Sequence, residues 1–393
     1  GNDGNSGISF SQAFKTLGKA LSVVSSGNKI LLYAGRYYEG ELVVPNSGSA
    51  GNPIVITNAP DEKPVLDGTD TAFTPSWVVY DAINNIYRTA TTSLPTHAYI
   101  DGVHLFHYVS LADLVSKAYG EPGYYVDGTY MYVRFLADSS PGSHTITIPK
   151  FSRSLILDGK SYIHIIGTEF CYYGYSNPAG NYTSRPKAIY INNGSYNLID
   201  SCFFHQTNVG VDLRRSSNFN TIQNCSFNEG NKSTMDWNGV KYGGVNYESG
   251  GVVFFDSDIS NEGNVIRHNT FTNMFDGSQP GTCWNGCIGV TKNMDFHNNN
   301  FSEMSDDCIS LDGVGTNVRV YQNVMKDFHT GISVAPMGGG PSYIFRNVLY
   351  NNAASSWNRS NPPASTFFKF NVSTTTTTDW VYLYHNTTYT DLY

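Results

Sequence analysis

The segment from residue 294 to residue 350 contains one phrase three times: MDFHNNNF at 294–301, VRVYQNVM at 318–325 and YIFRNVLY at 343–350. Each copy alternates apolar and polar residues and then has an asparagine, one further residue and an apolar residue. Asn299, Asn323 and Asn347 therefore align at steps of 24 residues. A repeat this short cannot be a propeller blade, and it fits one coil of a β-solenoid.

The same phrase recurs on both sides of this segment, as NLIDSCFF at 197–204, NTIQNCSF at 220–227, NVIRHNTF at 264–271 and VYLYHNTT at 381–388. We align Ser201 and Asn224 with Asn269, Asn299 and the later asparagines through Asn386. The longer intervals between copies indicate coils that carry an inserted loop or a second, blurred copy. The asparagines are predicted to form a structural ladder of side-chain amides at one turn of the solenoid.

A second alternation follows each phrase, in the runs VGVDL, GVVFF, CIGVT, CISLD, GISVA and FFKFN. Side chains alternate across a strand, and stacked strands lie about 4.8 Å apart, so alternate residues of these runs should form inward columns. The predicted columns contain Val211, Leu213, Val252, Phe254, Ile288, Val290, Ile309, Leu311, Ile332, Val334, Phe368 and Phe370.

The first part of the chain is predicted to begin and cap the same solenoid. Phe10, Phe14, Leu17, Leu21 and Val24 have helical spacing, which predicts an amphipathic capping helix after Ser9. The strands ILLYAG, ELVVP, PIVIT and PVLDG follow. We therefore predict an all-β protein, a single-stranded right-handed parallel β-helix in one domain over 9–393, after a flexible lead at 1–8. Residues from about 77 to 150 break the pattern and are predicted to be an inserted β-section.

Composition narrows the classes of partner. Of the 393 residues only 14% are charged, and 32 acidic against 24 basic residues give a net charge of −8 with no basic cluster. Nucleic acid is therefore not expected as a partner. The sequence contains no apolar stretch of about 18 residues, so it predicts no membrane-spanning helix. The lead GNDGNSG is typical of a tether left after an export signal is removed, so we expect a secreted, periplasmic or cell-surface protein, with a lipid tether at the N-terminus compatible with this lead.

The six cysteines form no CxxC pair and have no histidine cluster beside them in the sequence, so no metal site is expected. Cys287 and Cys308 are predicted to stack on neighbouring coils, and so are Cys202 and Cys225. Either pair could be a disulfide or a ladder of thiols.

The layout resembles the pectin-lyase-like superfamily of parallel β-helix proteins, on the strength of GRYYEGELVV, GNPIVITNAP and PVLDG near the start and of the coil phrases. That superfamily includes lyases, hydrolases, esterases and phage adhesins, so the fold does not decide the function. SDDCISLDG at 305–313 resembles the paired-aspartate strand of polygalacturonases, and His329 follows where that family has its histidine motif. The NTD and RIK motifs of polygalacturonases are absent, and the inserted section is more similar to bacterial β-helix glycosidases.

The alignment of the coils also predicts a pair of carboxylates, and this prediction does not depend on the family resemblance. Counting seven residues past Asn269 and Asn299 gives Asp276 and Asp306, which should lie about 5 Å apart on adjacent coils. A retaining glycosidase has its two carboxyl groups about 5–5.5 Å apart and an inverting one about 6.5–9.5 Å. The alternative is that these aspartates only cap backbone groups in turns.

Asp307 and Asp312 belong to the same run as Asp306, and like charges this close should raise one pKa and retain a proton near neutral pH. Asp306, Asp307, Asp276 and His329 are therefore the candidate catalytic residues. His329 would orient or protonate a carboxylate or bind a sugar hydroxyl, unless it is a structural histidine.

The candidate substrate-binding residues are Asp312, Trp284, Trp237, Arg214 and Lys241, because flat rings stack on sugar faces and basic side chains lie upstream. The leading interpretation is a glycoside hydrolase that acts on a polysaccharide or oligosaccharide with two carboxylates and no cofactor. One alternative is a polysaccharide lyase, in which Lys241 or Arg214 removes a proton beside a uronate carboxylate with the help of calcium. The other is a non-catalytic glycan-binding or adhesive solenoid.

Overall fold

Parallel strands stacked along one axis dominate the computed structural model. It describes residues 1–91, 93–135, 140–174, 185–231, 234–243, 248–254, 260–280, 290–351, 366–371 and 379–390. Strands β1–β39 and helices α1 and α2 are numbered along the chain. Three long parallel ladders and one short one form the faces of a β-helix, which confirms the predicted fold class.

The first face is a ladder of ten strands. In spatial order it contains β1 (Lys29–Leu32), β4 (Ile54–Asn58), β15 (Ile163–Ile166), β18 (Leu198–Asp200), β21 (Thr221–Gln223), β25 (Val265–Arg267), β29 (Asp295–His297), β32 (Arg319–Tyr321), β35 (Ser342–Phe345) and β38 (Val381–Tyr384).

The second face contains β2 (Gly35–Tyr37), β5 (Pro64–Asp67), β16 (Glu169–Cys171), β19 (Phe203–His205), β22 (Ser226–Asn228), β26 (Thr270–Met274), β30 (Asn300–Ser310), β33 (Val324–Val334), β36 (Val348–Asn351) and β39 (Thr387–Thr390).

The third face contains β3 (Leu42–Val43), β14 (Arg153–Asp158), β17 (Lys187–Asn192), β20 (Val209–Arg214), β23 (Gly250–Val253), β27 (Asp276–Gln279), the later halves of β30 and β33, and β37 (Thr366–Phe370). The short ladder contains β24 (Asn261–Glu262), β28 (Thr291–Lys292), β31 (Gly313–Thr316) and β34 (Met337–Gly338).

Columns of stacked apolar side chains fill the space between the faces. The rings of Phe170, Phe204, Phe227, Phe271 and Phe301 stack nearly parallel, with neighbouring centroids 4.6–5.0 Å apart. The predicted inward columns are core residues from Val211 to Val334, except that Val290 is half-buried and Ile288 lies outside the described residues. Phe368 and Phe370 pair with Ile332 and Val334 and so continue the same columns, although Phe370 is 55% exposed.

The asparagine ladder is present, but its alignment was wrong by one residue in two coils. Asn269, Asn299, Asn323 and Asn347 each donate a backbone N–H to the Oδ1 of the next asparagine, at 3.0–3.1 Å. Before Asn269 the ladder position is Cys225, whose N–H donates to Asn269 Oδ1. Asn224 points outward instead, toward Asp200.

The structure tests the two predicted cysteine pairs in part. Cys202 and Cys225 are buried on neighbouring coils, and both are free thiols, as are Cys171 and Cys308. Ser278 pairs with Ile309, so the residue of β27 that lies beside Cys308 is Gly277 and not a cysteine. Cys287 lies outside the described residues.

The capping helix is shorter than predicted. A 3₁₀ turn covers Phe10–Gln12, and α1 spans Leu17–Val23, with the Thr16 hydroxyl accepting from Lys19 N–H. The segment directly after Ser9 is therefore only a 3₁₀ turn, and Phe10 is 73% exposed. Leu17 and Leu21 are buried against the first coil. Among the described residues no helix is long and apolar enough to cross a membrane.

Residues 78–147 fold into strands that leave the solenoid between β5 and β14. They are β6 (Val78–Asp81), β7 (Ile86–Ala90), β8 (Tyr99–Ile100), β9 (Val103–His104), β10 (Phe106–His107), β11 (Gly123–Val126), β12 (Tyr130–Arg134) and β13 (Ile146–Thr147), with α2 at Leu111–Ser116 and a 3₁₀ turn at Pro141–Ser143. Phe106, Tyr108 and Leu114 pack in one apolar cluster with Met235, Val240 and Phe275. The inserted section thus packs against the segment that contains Met235 and Val240, and against Phe275 beside the third face.

Candidate active site

An irregularity in β30 creates an acidic centre on the outer surface of the third face. Met274 pairs with Met304, but Ser278 pairs with Ile309, so β30 has one residue more than the coil before it. The same extra residue appears against β33, where the register shifts between Met304 and Asp307. Such a bulge re-aims side chains, and here it allows the consecutive residues Asp306 and Asp307 both to point outward.

Three aspartates meet at this bulge. Asp307 N–H donates to Asp276 Oδ1 at 3.1 Å, and Asp306 N–H donates to the carbonyl of Phe275 at 2.8 Å. Asp276, Asp306 and Asp307 are only 2%, 3% and 4% exposed. Asp276 and Asp306 are therefore neighbours on adjacent coils, and the bulge places the Asp276 carboxylate beside the backbone of Asp307.

Two lysines reach the acidic centre from opposite directions. Lys241, in a single π-helical turn at Gly239–Gly243, donates to Asp306 Oδ2 at 2.9 Å and contacts Glu248 Oε1 at 2.9 Å. Lys369 on β37 contacts Asp307 Oδ1 and Oδ2 at 2.9 and 3.0 Å. Each of the two bulged aspartates therefore has its own ammonium group.

Asp276 has no ion pair among the described residues and is held by amides. The Gln279 side-chain amide donates to Asp276 Oδ2, and Gln279 Oε1 accepts from Arg185 at 3.3 Å. Arg185 also pairs with Glu248 at 3.2 Å. A continuous polar network thus joins Lys241, Glu248, Arg185 and Gln279 to Asp276.

Burial and mutual repulsion perturb these carboxyl groups. Burial, followed by the charges of Asp306 and Asp307, raises the pKa of Asp276 well above its ordinary value. Burial and the charge of Asp306 raise the pKa of Asp307 to about 7, although Lys369 opposes them. For both lysines burial is outweighed by the neighbouring carboxylates, which raise the pKa of Lys241 and Lys369. The centre therefore retains at least one carboxyl proton at neutral pH while the lysines stay charged.

Aromatic rings form one wall beside the acids. The Trp237 ring contacts the rings of His329, Tyr242 and Phe275 at centroid distances of 5.8, 5.8 and 6.4 Å. Burial lowers the pKa of His329 although the charge of Asp306 opposes this shift, so this imidazole is neutral at neutral pH. Trp237 Nε1 is buried and has no hydrogen-bond partner among the described residues.

The structure brings together Asp276, Asp306, Asp307, His329, Lys241 and Trp237, but it does not bring every candidate. Asp312 accepts from Ser333 Oγ at 2.6 Å and from Ala335 N–H at 2.7 Å, so it holds the following coil. Arg214 binds Asp212 on β20, two coils and about 10 Å from β27. Trp284 lies outside the described residues.

Four residues of the site were missed by the sequence analysis: Lys369, Glu248, Gln279 and Arg185. A signal existed for Lys369, because it alternates with Phe368 and Phe370 in FFKFN and must face outward if its neighbours face inward. Gln279 follows Asp276 by three residues in DGSQ. Arg185 and Glu248 carry no local pattern, because they reach the site only through the path of the chain.

Comparison with known proteins adds support for the fold. No protein-family model matches the chain, and no curated protein sequence matches it. A solved structure described as a glycoside hydrolase aligns over 99% of this chain and 94% of its own, with a TM-score of 0.60 and 12% identity. A tailspike protein of E. coli bacteriophage HK620, determined with a pentasaccharide, aligns over 98% of this chain and 62% of its own, with a TM-score of 0.50 and 12% identity.

The pectate lyase Pel9A aligns over 95% of this chain and 77% of its own, with a TM-score of 0.42 and 13% identity. The likeness to the glycoside hydrolase and the tailspike protein, at 12% identity, establishes the parallel β-helix fold alone. The chain is a parallel β-helix protein, with its acidic centre at a bulge on one outer face.

Proposed function

We propose that this protein is a carbohydrate-active enzyme that hydrolyses glycosidic bonds in a polysaccharide or oligosaccharide. The observation that carries the proposal is the group of three nearly buried aspartates around the β30 bulge, which share two lysines. Three carboxylates with two cations leave one negative charge uncompensated, so a proton is retained beside ionised partners. A protonated and an ionised carboxyl group side by side are the requirement of glycoside hydrolysis.

We assign Asp307 as the proton donor, because a pKa of about 7 lets it give up and regain its proton at neutral pH. Asp306 is the second carboxyl group of the pair, since it forms an ion pair with Lys241 and its charge raises the pKa of both Asp276 and Asp307. It would act as the base or the nucleophile. Burial and the charges of Asp306 and Asp307 raise the pKa of Asp276, and its Oδ1 accepts from the Asp307 N–H and so positions that backbone.

The aromatic wall supports a sugar ligand. Trp237 places a flat aromatic ring beside the acids, next to His329, and such a ring can stack on the face of a sugar. The neutral His329 next to it can donate to or accept from another hydroxyl. The glycoside hydrolase that shares this fold agrees with the proposed class.

The charge state of the lysines argues against β-elimination with a lysine as the base. Such a lysine would have to be neutral, whereas carboxylates raise the pKa of Lys241 and Lys369, and both lysines remain protonated at neutral pH. We therefore propose hydrolysis that needs no calcium or other cofactor. Because polysaccharides are encountered outside the cytoplasm, export of the protein belongs to the same proposal.

The test is turnover on a panel of acidic and neutral polysaccharides, read by release of reducing ends and, in parallel, by ultraviolet absorbance of unsaturated products. Asp306→Asn and Asp307→Asn should each lower kcat by at least about 10²-fold, the usual contribution of a positioned acid or base. Asp158→Asn is the matched control, because Asp158 is exposed on β14 of the same face.

Hydrolysis predicts reducing ends without unsaturated products, and unchanged rates after chelation of divalent cations. Unsaturated products, or loss of activity on chelation, would show a lyase instead. Binding of a glycan without any turnover would show an adhesive solenoid. If either active-site variant retains the rate of the Asp158→Asn control, the catalytic assignment is wrong.

A further inference from the structure

A second group of reactive side chains lies on the second face, away from the acidic centre. Glu169 and Cys171 are alternate residues of β16, and Cys171 pairs directly with His205 on β19. One ligand atom from each of the three residues lies within 4.8 Å of the other two. The β19 strand is three strands from β30 on this face, about 14 Å along the axis, so the two groups are separate.

Cys171 differs from the other described cysteines in its surroundings. Cys202, Cys225 and Cys308 belong to the apolar core, whereas Cys171 does not. Phe170 and Phe204 take the inward positions of the two strands, so the thiol faces outward although it is fully buried. Arg36 Nη1 lies 3.6 Å from Cys171 Sγ and also pairs with Asp67. A thiol among charged groups contributes little to apolar packing, but it is well placed to bind a cation.

The imidazole is already oriented toward the group. His205 Nδ1 contacts Gln206 Oε1, and His205 Nε2 lies 2.8 Å from Glu169 Oε1. An acceptor on one ring nitrogen fixes the tautomer and directs the lone pair of the other nitrogen, which is the arrangement usual around metal-bound histidines. A cation placed between the three ligand atoms would replace the contact between Glu169 and His205.

Charge also favours a divalent cation. With Cys171 as a thiolate, Glu169 and Asp67 bring the local charge to −3, and Arg36 reduces it to −2. A thiolate, an imidazole and a carboxylate are the donors that Zn²⁺ accepts, and three protein ligands leave a fourth position for water. A thiol binds such a cation as a thiolate, so binding would release a proton from Cys171.

We propose that Glu169, Cys171 and His205 form a binding site for Zn²⁺ or a related soft divalent cation, which would tie β16 to β19. The site lies beneath the inserted section, because the Tyr99 hydroxyl donates to the carbonyl of Gln206 at 2.8 Å and Gln206 Nε2 donates to the carbonyl of Gly102. A cation here would stabilise the junction between the inserted section and the solenoid. This site is independent of the catalytic proposal.

The experiment titrates the metal-stripped protein with Zn²⁺ and, separately, with Co²⁺. The expected result is binding of one ion per chain, with Co²⁺ giving the near-ultraviolet charge-transfer absorption of a cobalt thiolate. Cys171→Ser should abolish that absorption, and His205→Gln should weaken binding by at least about tenfold. His164→Gln is the control, because His164 is a half-buried histidine on β15 of the first face.

The proposal fails if the wild-type protein gives no cobalt–thiolate absorption, a result that needs no variant to fold. It also fails if Cys171→Ser, shown to be folded by circular dichroism, binds Zn²⁺ as tightly as wild type. Raised thermal stability with Zn²⁺ in wild type and His164→Gln but not in His205→Gln would support it. None of these measurements depends on whether the protein cleaves a glycan.

Discussion

Replacement of Asn323 by alanine tests whether the asparagine ladder holds adjacent coils together. Asn323 is fully buried, and its Nδ2 donates to the carbonyl of Phe296 and to Asn347 Oδ1, each at 3.0 Å. Its Oδ1 accepts from the backbone N–H and the Nδ2 of Asn299, also at 3.0 Å. In Asn323→Ala the Asn299 N–H and the Phe296 carbonyl lose these partners inside the stack.

Each buried polar group left without its partner costs about 1–3 kcal/mol, so two such groups predict a loss of about 2–6 kcal/mol. That is a large part of the 5–15 kcal/mol typical of a folded domain. The assay is urea unfolding followed by far-ultraviolet circular dichroism. Asn300→Ala is the control, because Asn300 is exposed and an exposed substitution should change stability by no more than about 0.5 kcal/mol. If the two variants unfold at the same urea concentration, the ladder does not hold the coils.

Two further predictions concern the acidic centre. Because the folded protein raises the pKa of Asp307 to about 7 from an ordinary value near 3.9, the folded state binds this proton more tightly than the unfolded state, and the associated stability is lost as pH rises from about 4 through 7. Asp307→Asn should therefore flatten the fall in unfolding midpoint between pH 5 and pH 8, and an unchanged slope would contradict the raised pKa. Gly243→Ala should lower kcat without removing any catalytic group, because a Cβ there would lie 2.0 Å from Tyr119 Cζ and would displace the turn that carries Lys241. Gly142→Ala, where nothing lies within 4 Å, is its control, and equal rates for the two variants would show that the turn does not position Lys241.

The solenoid could be predicted from the sequence because its period is written in the sequence. Coils of equal length place Asn299, Asn323 and Asn347 in one column, and the alternation of apolar residues then fixes which side chains face inward. The error at Asn224 has a physical cause. The phrase NTIQNCSF has an asparagine one position before the column, and the buried residue at the column itself is Cys225, which contributes a backbone N–H but no amide.

The site could be predicted only in part. Asp276, Asp306 and Asp307 follow from coil spacing, since residues at equivalent places in adjacent coils must be neighbours. Lys369 could not be paired with Asp307 from spacing. The two residues are 62 positions apart in the chain, and the sequence does not tell how many coils that distance contains. Arg214 lies on the same face as the acidic centre but two coils away from β27, and a periodic pattern alone does not tell one coil from another.

The bulge in β30 explains why the regular pattern and the active chemistry coincide at this place. In an unbroken strand consecutive residues point to opposite sides, so one of Asp306 and Asp307 would be driven into the apolar core, where an unpaired carboxylate is strongly unfavourable. One extra residue after Met304 allows both to face outward, and the same local break in pairing brings the Asp307 N–H to Asp276 rather than to a backbone carbonyl of β27. Lys241 and Lys369 then offset the repulsion between the two aspartates without removing it. The departure from the solenoid repeat is therefore what lets one strand carry two neighbouring carboxyl groups, each paired with its own lysine.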